Sequence, residues 1–225
     1  MYSQKNLAAV IILSLIFVSV QNCLYANERD NEKSFYVKRG TYLEIFGVNN
    51  AIGGDFDDSR ILYSYYSFYD LPDIDSGMGF GLALGLRDEK GALELSYQRS
   101  THDTSSSFIF IGSQKAYLNA LDLNLKIDAF AKDEIRPHIL LGCGIPFLTI
   151  ENSKLEGYYS FDDETFFGVS GHLGCGLSYF LNPQICITGG AAYRWMWFSS
   201  VDGVDIDESL SAGGLSFRLG LAYTF

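Results

Sequence analysis

The last twelve residues of the chain, 214–225, alternate strictly between two kinds of side chain. Every second position is large and apolar: Leu215, Phe217, Leu219, Leu221, Tyr223 and Phe225. The positions between them are small or polar: Gly214, Ser216, Arg218, Gly220, Ala222 and Thr224. Because successive side chains of a strand point to opposite faces, the pattern predicts a two-sided β-strand. The rest of the chain must decide whether the apolar face meets a protein core or a lipid bilayer.

Seven earlier segments repeat the alternation, so the chain is predicted to form eight strands. These segments are residues 40–48, 77–87, 92–101, 121–129, 138–145, 166–179 and 185–198. In the fourth, which is the clearest, Leu121 and Ile127 belong to an apolar face opposite Asp122 and Lys126. The register of the first segment is ambiguous. An aromatic share of 15% and 23 glycines also favour strands over helices.

The connections between these segments alternate in length. Short connections fall at residues 88–91, 132–136 and 182–183, and long ones at 49–76, 102–113, 151–164 and 199–212. Transmembrane β-barrels show this alternation, because their periplasmic turns are short and their external loops are long. A soluble β-sandwich has no reason to sort its loops in this way. An even number of strands also returns the end of the chain to the side where it began.

The two faces of the strands decide between lipid and protein. The apolar face carries too many large side chains to fit inside a small closed barrel, whereas the small and polar face fits inside eight strands. Closure into a ring also satisfies every backbone group, as hydrocarbon requires. We therefore predict an all-β fold, a closed antiparallel up-and-down transmembrane β-barrel of eight strands. The predicted periplasmic girdle is Tyr179, Phe180, Tyr223 and Phe225, and the external girdle is Trp195, Trp197 and Phe198.

The N-terminus has the pattern of a cleaved signal peptide. Lys5 precedes an apolar run at residues 7–20, which is short for a spanning helix, and Ala26 offers a cleavage point. An uncleaved anchor helix, or a lipoprotein processed at Cys23, is the alternative. The predicted domains are a signal peptide at 1–26, a periplasmic segment at 27–39 and a barrel domain at 40–225. Three cysteines would remain after cleavage, with no spacing that indicates a disulfide framework or metal site.

The signal segment, the glycine-rich strands, the Arg136-Pro137-His138 run and the aromatic terminal strand resemble the OmpA/OmpX type of small outer-membrane barrel, in its barrel-only form. The resemblance covers roughly residues 40–225. It implies a monomer in the cell outer membrane, in contact with membrane lipid and lipopolysaccharide, and no cofactor. It also implies an assembly signal read by the barrel assembly machinery. The residues of that signal are Leu219, Leu221, Tyr223 and Phe225.

Charged and polar side chains fall on the predicted lumen side of the strands. They are Arg87, Glu94, Asp122, Lys126, Asp128, His172, Arg194 and Arg218. Charges of both signs in a narrow interior should pair, because an unpaired buried charge is costly. Two functions are consistent with such a network: a plug of ion pairs that stabilises the barrel, and a gated path for ions or water. The plug is favoured, because eight strands leave an interior only wide enough for side chains.

The predicted external loops are acidic and account for most of the net charge of -11, which excludes nucleic acid as a partner. One hypothesis is a divalent-cation site at Asp202, Asp205 and Asp207, bridging to lipopolysaccharide phosphates. The alternative is a set of solvated surface loops. The aromatic run at residues 61–69 either marks a binding surface or extends a strand above the membrane. The external ligand is not indicated by the sequence.

An enzyme that modifies lipid A is the rival class of function. It would need a serine, a histidine and usually an acid within reach of a lipid chain. Ser170 with His172, and His102 with the serines at 105–107, are the available pairs, and neither is on the lipid face. We therefore predict a structural or surface-interaction barrel that is not an enzyme. A narrow passive channel is the second candidate.

Overall fold

The structure is a computed structural model that describes residues 39–57, 60–64, 67–105, 114–129, 134–156, 160–201 and 204–225. All of these belong to the unit Tyr36–Phe225. The predicted signal peptide, residues 1–26, and nearly all of the predicted periplasmic segment lie outside the described residues. No helix in the described part of the chain has both the length and the hydropathy needed to cross a bilayer.

Twelve strands follow one another along the described chain. In chain order they are β1 (Gly40–Asn50), β2 (Gly53–Gly54), β3 (Arg60–Ser64), β4 (Ser67–Leu71), β5 (Asp73–Ile74), β6 (Gly77–Asp88), β7 (Gly91–Ser105), β8 (Lys115–Asp128), β9 (Ile135–Glu156), β10 (Ser160–Phe180), β11 (Ile185–Val201) and β12 (Val204–Thr224). Eight of them are long, and the four short ones, β2 to β5, all lie in the first long connection. The long strands match the eight predicted from the sequence.

The eight long strands form a closed ring. Each pairs antiparallel with the next long strand along the chain, from β1 to β6 and on to β12. The ring closes between β12 and β1, where Val48 lies opposite Arg218. A closed ring has no unpaired edge, which is the condition for placing a sheet in hydrocarbon. The predicted fold class, a closed antiparallel barrel of eight strands, is confirmed.

The outer surface of the ring is apolar. Leu84 is 54% exposed, Val169 57% and Leu219 67%, whereas the charged side chains of the same strands point inward. On β12 the outward apolar run from Leu215 to Phe225 extends roughly 33 Å along the strand, at about 3.3 Å per residue. A tilt of about 40° reduces this to a height of about 25 Å, the thickness of the apolar band of a transmembrane barrel. The predicted inversion, with apolar side chains outside, is therefore confirmed.

On the external side of this apolar band, the inward side chains become apolar and the outward side chains become polar. On β8 the inward side chain of Leu118 is buried, while the outward side chain of Asn119 is polar. On β9 the inward Ile150 is buried next to the outward Glu151. The direction of each side chain still alternates, but the solvent outside is now water instead of lipid. The external part of the barrel therefore has the inside-apolar pattern of a soluble β-protein.

The external connections differ from the loops that were predicted. β9 and β10 remain paired up to Glu156 and Ser160, and β11 and β12 up to Val201 and Val204. The predicted loops at 151–164 and 199–212 are therefore mostly wrong, since paired strands satisfy the backbone better than irregular chain. His102, predicted in a loop, lies within β7. The connection between β1 and β6, which we call loop one, carries the four short strands.

Loop one folds back onto the wall at three separate places. β2 pairs with β12, β4 with β9 and β5 with β7. Because β9 lies on the far side of the ring from β1, these pairings take loop one across the external opening of the barrel. At the turn Gly54, with a φ of 83°, a Cβ would approach Ser211 O to 2.8 Å, so this crossing requires a glycine.

The aromatic girdles are confirmed except at two positions. Tyr179, Tyr223 and Phe225 are exposed at the periplasmic end, and Trp195 and Trp197 are exposed toward the external end. Phe180 and Phe198 were predicted in the girdles, but they are 3% and 0% exposed inside the barrel. Each packs against interior groups that favour an aromatic ring, arginines in one case and other rings in the other. The four assembly-signal residues point outward, and their recognition by the assembly machinery stays a prediction.

Candidate functional site

The centre of the lumen contains a cluster of two carboxylates and two cations. Lys126 Nζ lies 3.2 Å from Glu44 Oε2 and 2.7 Å from Glu94 Oε2. Arg218 reaches the other oxygens, with Nη2 2.9 Å from Glu44 Oε1 and Nη1 2.7 Å from Glu94 Oε1. Each cation therefore bridges both carboxylates. The cluster is electrically balanced, as charges excluded from water need to be.

Neutral side chains complete the hydrogen bonding of these carboxylates. Tyr42 Oη donates to Glu94 Oε2 at 2.8 Å, and Asn124 Nδ2 donates to Glu94 Oε1 at 3.1 Å. Thr188 Oγ1 donates to Glu44 Oε1 at 2.5 Å. The donors come from β1, β8 and β11, while the carboxylates belong to β1 and β7. The cluster thus ties together strands that are not neighbours in the ring, which stiffens the cross-section.

A second ion pair lies beside the first cluster. Arg194 Nη1 and Nη2 donate to Asp122 Oδ1 and Oδ2 at 2.8 and 2.7 Å, a bidentate pair. His172 Nε2 lies 2.6 Å from Asn124 Oδ1. Since the amide nitrogen of Asn124 already donates to Ser96 and to Glu94, its oxygen is the acceptor and His172 Nε2 carries the hydrogen.

Between the two groups of ion pairs lies a polar cavity of about 50 Å³. Its wall includes Gln98, Lys126, His172, Arg194 and Arg218. At about 10–15 Å³ for each enclosed water, it has room for roughly three to five water molecules. The middle of the barrel therefore has room for water but is narrow.

The periplasmic end of the lumen is filled by arginines and aromatic rings. The guanidinium of Arg87 lies between the rings of Tyr42 and Phe180, at 4.9 and 5.0 Å from their centroids. Arg136 approaches Phe180 from another side at 5.5 Å, and its Nη1 lies 3.6 Å from Asp128 Oδ2. Arg136 is fully buried and also donates to Glu89 O at 2.9 Å. Stacked cations and rings therefore occupy this end of the lumen.

The external end of the lumen is closed by an apolar core. Phe56 of loop one is fully buried, and its ring contacts Phe166 and Phe198 edge to face, with centroids 6.1 and 6.0 Å apart. The remaining members come from loop one and from the upper ends of the long strands. They are Ile52, Leu71, Ile74, Ala116, Leu118, Leu148, Ile150, Met196, Val201, Leu210 and Ala212. The lumen, predicted to be polar, therefore has an apolar part at its external end, where loop one supplies a cover.

The structure places all eight predicted lumen residues inside the barrel, but it separates them. Glu94, Lys126 and Arg218 belong to the central cluster. Asp122, His172 and Arg194 belong to the second group, which contains the Arg194–Asp122 ion pair. Arg87 and Asp128 lie apart from these, at the periplasmic end.

The sequence prediction missed Glu44 and Arg136, which are both fully buried in the lumen. Glu44 is the only carboxylate in residues 40–48. The sequence could have identified it as a lumen residue, because an acid in a transmembrane strand has to face inward. Arg136 is the second residue of β9, but the sequence prediction assigned it to the preceding turn, residues 132–136.

The candidate catalytic pairs of the sequence are not brought together. Ser170 Oγ accepts from Arg194 Nη1 at 3.4 Å, whereas His172 is bonded to Asn124. Ser105 donates to Asp73 Oδ2 at 3.2 Å. Residues 106 and 107 lie outside the described part of the chain.

The predicted cation site cannot be placed. Asp202 is outside the described residues, as are the side chains of Asp205 and Asp207. No group of three or more potential metal ligands occurs among the residues that the structure does describe. Cys143, Cys175 and Cys186 are all free thiols.

A hydrogen-bonded chain above the apolar band connects loop one to the wall. His102 Nε2 lies 2.9 Å from Ser100 Oγ, and His102 Nδ1 lies 2.9 Å from the backbone oxygen of Asp75. Since a carbonyl only accepts, Nδ1 carries the hydrogen and Nε2 accepts from the serine. Asn50 Nδ2 donates to the same serine oxygen at 3.0 Å. Burial lowers the pKa of His102 from its ordinary value, and the bond to Asp75 opposes this only in part.

We expect acid to weaken this attachment of loop one. The opened or unfolded state binds a proton at the ordinary histidine pKa, near 6.5, whereas the closed state resists protonation because its pKa is lower. Stability is therefore full above about pH 6.5 and falls as the pH drops from there toward the lowered pKa. Hydrogen exchange of the Ile74 and Asp75 amides, expressed as protection factors, measures this opening. A His102→Asn variant should remove the pH dependence, and an identical fall in that variant would contradict it.

The fold is shared with solved outer-membrane barrels. No protein-family model and no curated protein sequence matches the chain. Among solved structures, Neisserial surface protein A (NspA) is similar over 83% of this chain and 97% of its own, with 14% identity and a TM-score of 0.52. The outer membrane protein OprG from Pseudomonas aeruginosa is similar over 86% and 99%, with 16% identity and a TM-score of 0.52. The chain therefore has the fold of the small eight-stranded outer-membrane β-barrels, and its apolar exterior suits a lipid bilayer.

Proposed function

We propose that the protein is a structural and surface-interaction barrel of the outer membrane whose lumen does not pass solutes. Three successive layers fill the interior. They are the apolar core under loop one, the central ion-pair clusters and the arginine–aromatic layer at the periplasmic end. The cavity in the middle layer has a volume of about 50 Å³. A conducting barrel would need a continuous hydrated path through all three layers.

The observation that carries this proposal is the apolar external core. An ion that enters from outside would meet the buried rings of Phe56, Phe166 and Phe198. Transfer of an unpaired charge into such surroundings costs many kcal/mol. The ion-pair network below the core therefore acts as a cross-brace of the barrel instead of a gate on an open path.

Conductance of the refolded protein in planar lipid bilayers tests the proposal. We expect no stable current steps at neutral pH, because the two end layers exclude ions. A large open porin inserted into the same bilayer serves as the positive control for the measurement. Reproducible steps from the refolded protein would instead support the second candidate, a narrow passive channel.

The external surface supports the interaction part of the proposal. Exposed or half-exposed carboxylates on it include Asp57, Asp75, Asp103, Glu151 and Asp163, and among the side chains that the structure describes the exposed cations there are Arg99 and Lys115. An acidic surface of this kind favours cationic partners, or lipopolysaccharide phosphates bridged by divalent cations. Adding a chelator to lipopolysaccharide vesicles that contain the protein tests the bridge. An unfolding midpoint that does not change would exclude it.

A further inference from the structure

The wall of the mid-lumen cavity is more cationic than the clusters behind it. Lys126, Arg194 and Arg218 reach the wall, whereas Asp122 is its only carboxylate among the described residues. Glu44 and Glu94 neutralise Lys126 and Arg218 without lining the cavity. The cavity therefore faces the positive side of the central cluster.

Three nitrogen atoms on this wall have no hydrogen-bond partner among the residues that the structure describes. They are Gln98 Nε2, Arg194 Nε and His172 Nδ1, and their residues are 5%, 6% and 6% exposed. The first two are N–H donors that lack an acceptor, and the third accepts in the neutral ring, as the bond from Nε2 to Asn124 requires. Buried polar atoms in native proteins are almost always satisfied. The contents of the cavity must therefore supply acceptors for two N–H groups and a donor for one ring nitrogen.

The volume and the donor excess together define the ligand class. About 50 Å³ excludes organic solutes and leaves water or a small inorganic ion. A metal cation would face N–H donors and positive side chains, which repel it. A small anion can accept from both free donors, and hydrogen bonds to an ion are about twice as strong as neutral ones.

We propose that this cavity binds one halide-sized monovalent anion, held by the N–H groups of Gln98 Nε2 and Arg194 Nε. Water fills the remaining volume and donates to His172 Nδ1. The ion pairs already balance Lys126, Arg194 and Arg218, so the two free N–H donors, and not a net positive charge, hold the anion.

Bromide in place of chloride tests this site, because bromide is visible by anomalous scattering. The protein is refolded in bromide, so that entry does not depend on opening of the lumen, and then crystallised. We expect one anomalous peak within hydrogen-bond distance of Gln98 Nε2 and Arg194 Nε. A cavity that contains only water in this experiment overturns the proposal.

Two variants separate an anion site from a water site. Gln98→Met keeps the length of the side chain but removes the donor, and Gln98→Glu keeps the shape but adds a negative charge. Both should lose the bromide peak, and both should lose the higher unfolding midpoint that chloride gives over gluconate at equal ionic strength. Asn119→Asp adds the same charge on the outward face and should keep both signals. An equal chloride effect in Gln98→Met and the parent protein would contradict the assignment, even if Gln98→Glu does not fold.

Discussion

Glu94→Gln should lower the free energy of unfolding by about 3–5 kcal/mol, the usual cost of removing one partner from a buried ion pair. Glu94 is fully buried and accepts from Lys126, Arg218, Tyr42 and Asn124. The glutamine fills the same space, so the loss comes from charge and hydrogen bonding and not from a cavity. Lys126 and Arg218 would then share Glu44 alone, which leaves one positive charge unbalanced in the lumen. Denaturant titration of the refolded barrel in lipid vesicles measures the change.

The matched control is the same chemical change on the outer surface. Glu151→Gln removes a half-exposed carboxylate whose described hydrogen bond is the one accepted from Tyr117 at 2.8 Å. It should cost no more than about 1 kcal/mol, because exposed charges are screened by water. Equal effects at positions 94 and 151 would mean that the central cluster does not brace the barrel.

A second substitution distinguishes lost charge balance from lost shape. In the pair Glu94→Gln and Lys126→Met, one charge of each sign is removed and Arg218 keeps Glu44 at 2.9 Å. The double variant should therefore be more stable than Glu94→Gln alone, although it carries more changes. Additive losses from the two substitutions would show that the residues act independently.

The sequence predicts the strands best where the bilayer imposes one chemistry on each face. Within the apolar band every outward position has to suit lipid, so Leu121 and Ile127 on β8 reveal both the strand and its direction. Beyond the band that constraint ends. On the same strand Leu118 points inward, whereas Leu121 points outward. Between residues 118 and 121 the apolar side chains therefore change from the inward to the outward positions of the strand. A search for one continuous alternation therefore ends the strand too early.

The same reasoning explains why the register of the first strand was ambiguous in the sequence. On β1 the inward positions include Tyr42 and Phe46, which resemble lipid-facing residues in the sequence. They are inside because cations stack on them: Arg87 lies 4.9 Å from the Tyr42 ring and Arg218 lies 3.7 Å from the Phe46 ring. Such partners come from other strands of the ring, and alternation along one strand carries no information about them.

The cover over the external end also depends on contacts that are distant in the sequence. Phe56 lies between β2 and β3, and it packs against residues more than a hundred positions away, Phe166 and Phe198. The sequence of loop one is acidic and aromatic, which suits an exposed loop as well as a cover. Only the pairing of β2, β4 and β5 with three different strands of the wall fixes it across the opening.

Phe56→Ala should therefore destabilise the closed position of loop one by about 3–5 kcal/mol, the range for truncating a buried phenylalanine. The ring is fully buried and meets two other rings edge to face, so its removal leaves a dry apolar cavity that the rigid wall cannot fill. The loss should appear as local opening of loop one rather than as unfolding of the eight-stranded ring. Faster hydrogen exchange at Ile74, whose amide donates to Phe56 O at 3.0 Å, is the direct measurement.

Phe80→Ala provides the control, because it is the same substitution at a site outside the core. Phe80 is 64% exposed on the lipid side of the barrel. It should leave exchange at Ile74 unchanged. If both variants raised that exchange equally, loop one would not be held by the ring of Phe56. If neither raised it, the three strand pairings alone would hold the loop, and the apolar core would not be what closes the external end. Only a loss confined to Phe56→Ala fits a cover that is fastened through its buried aromatic side chain.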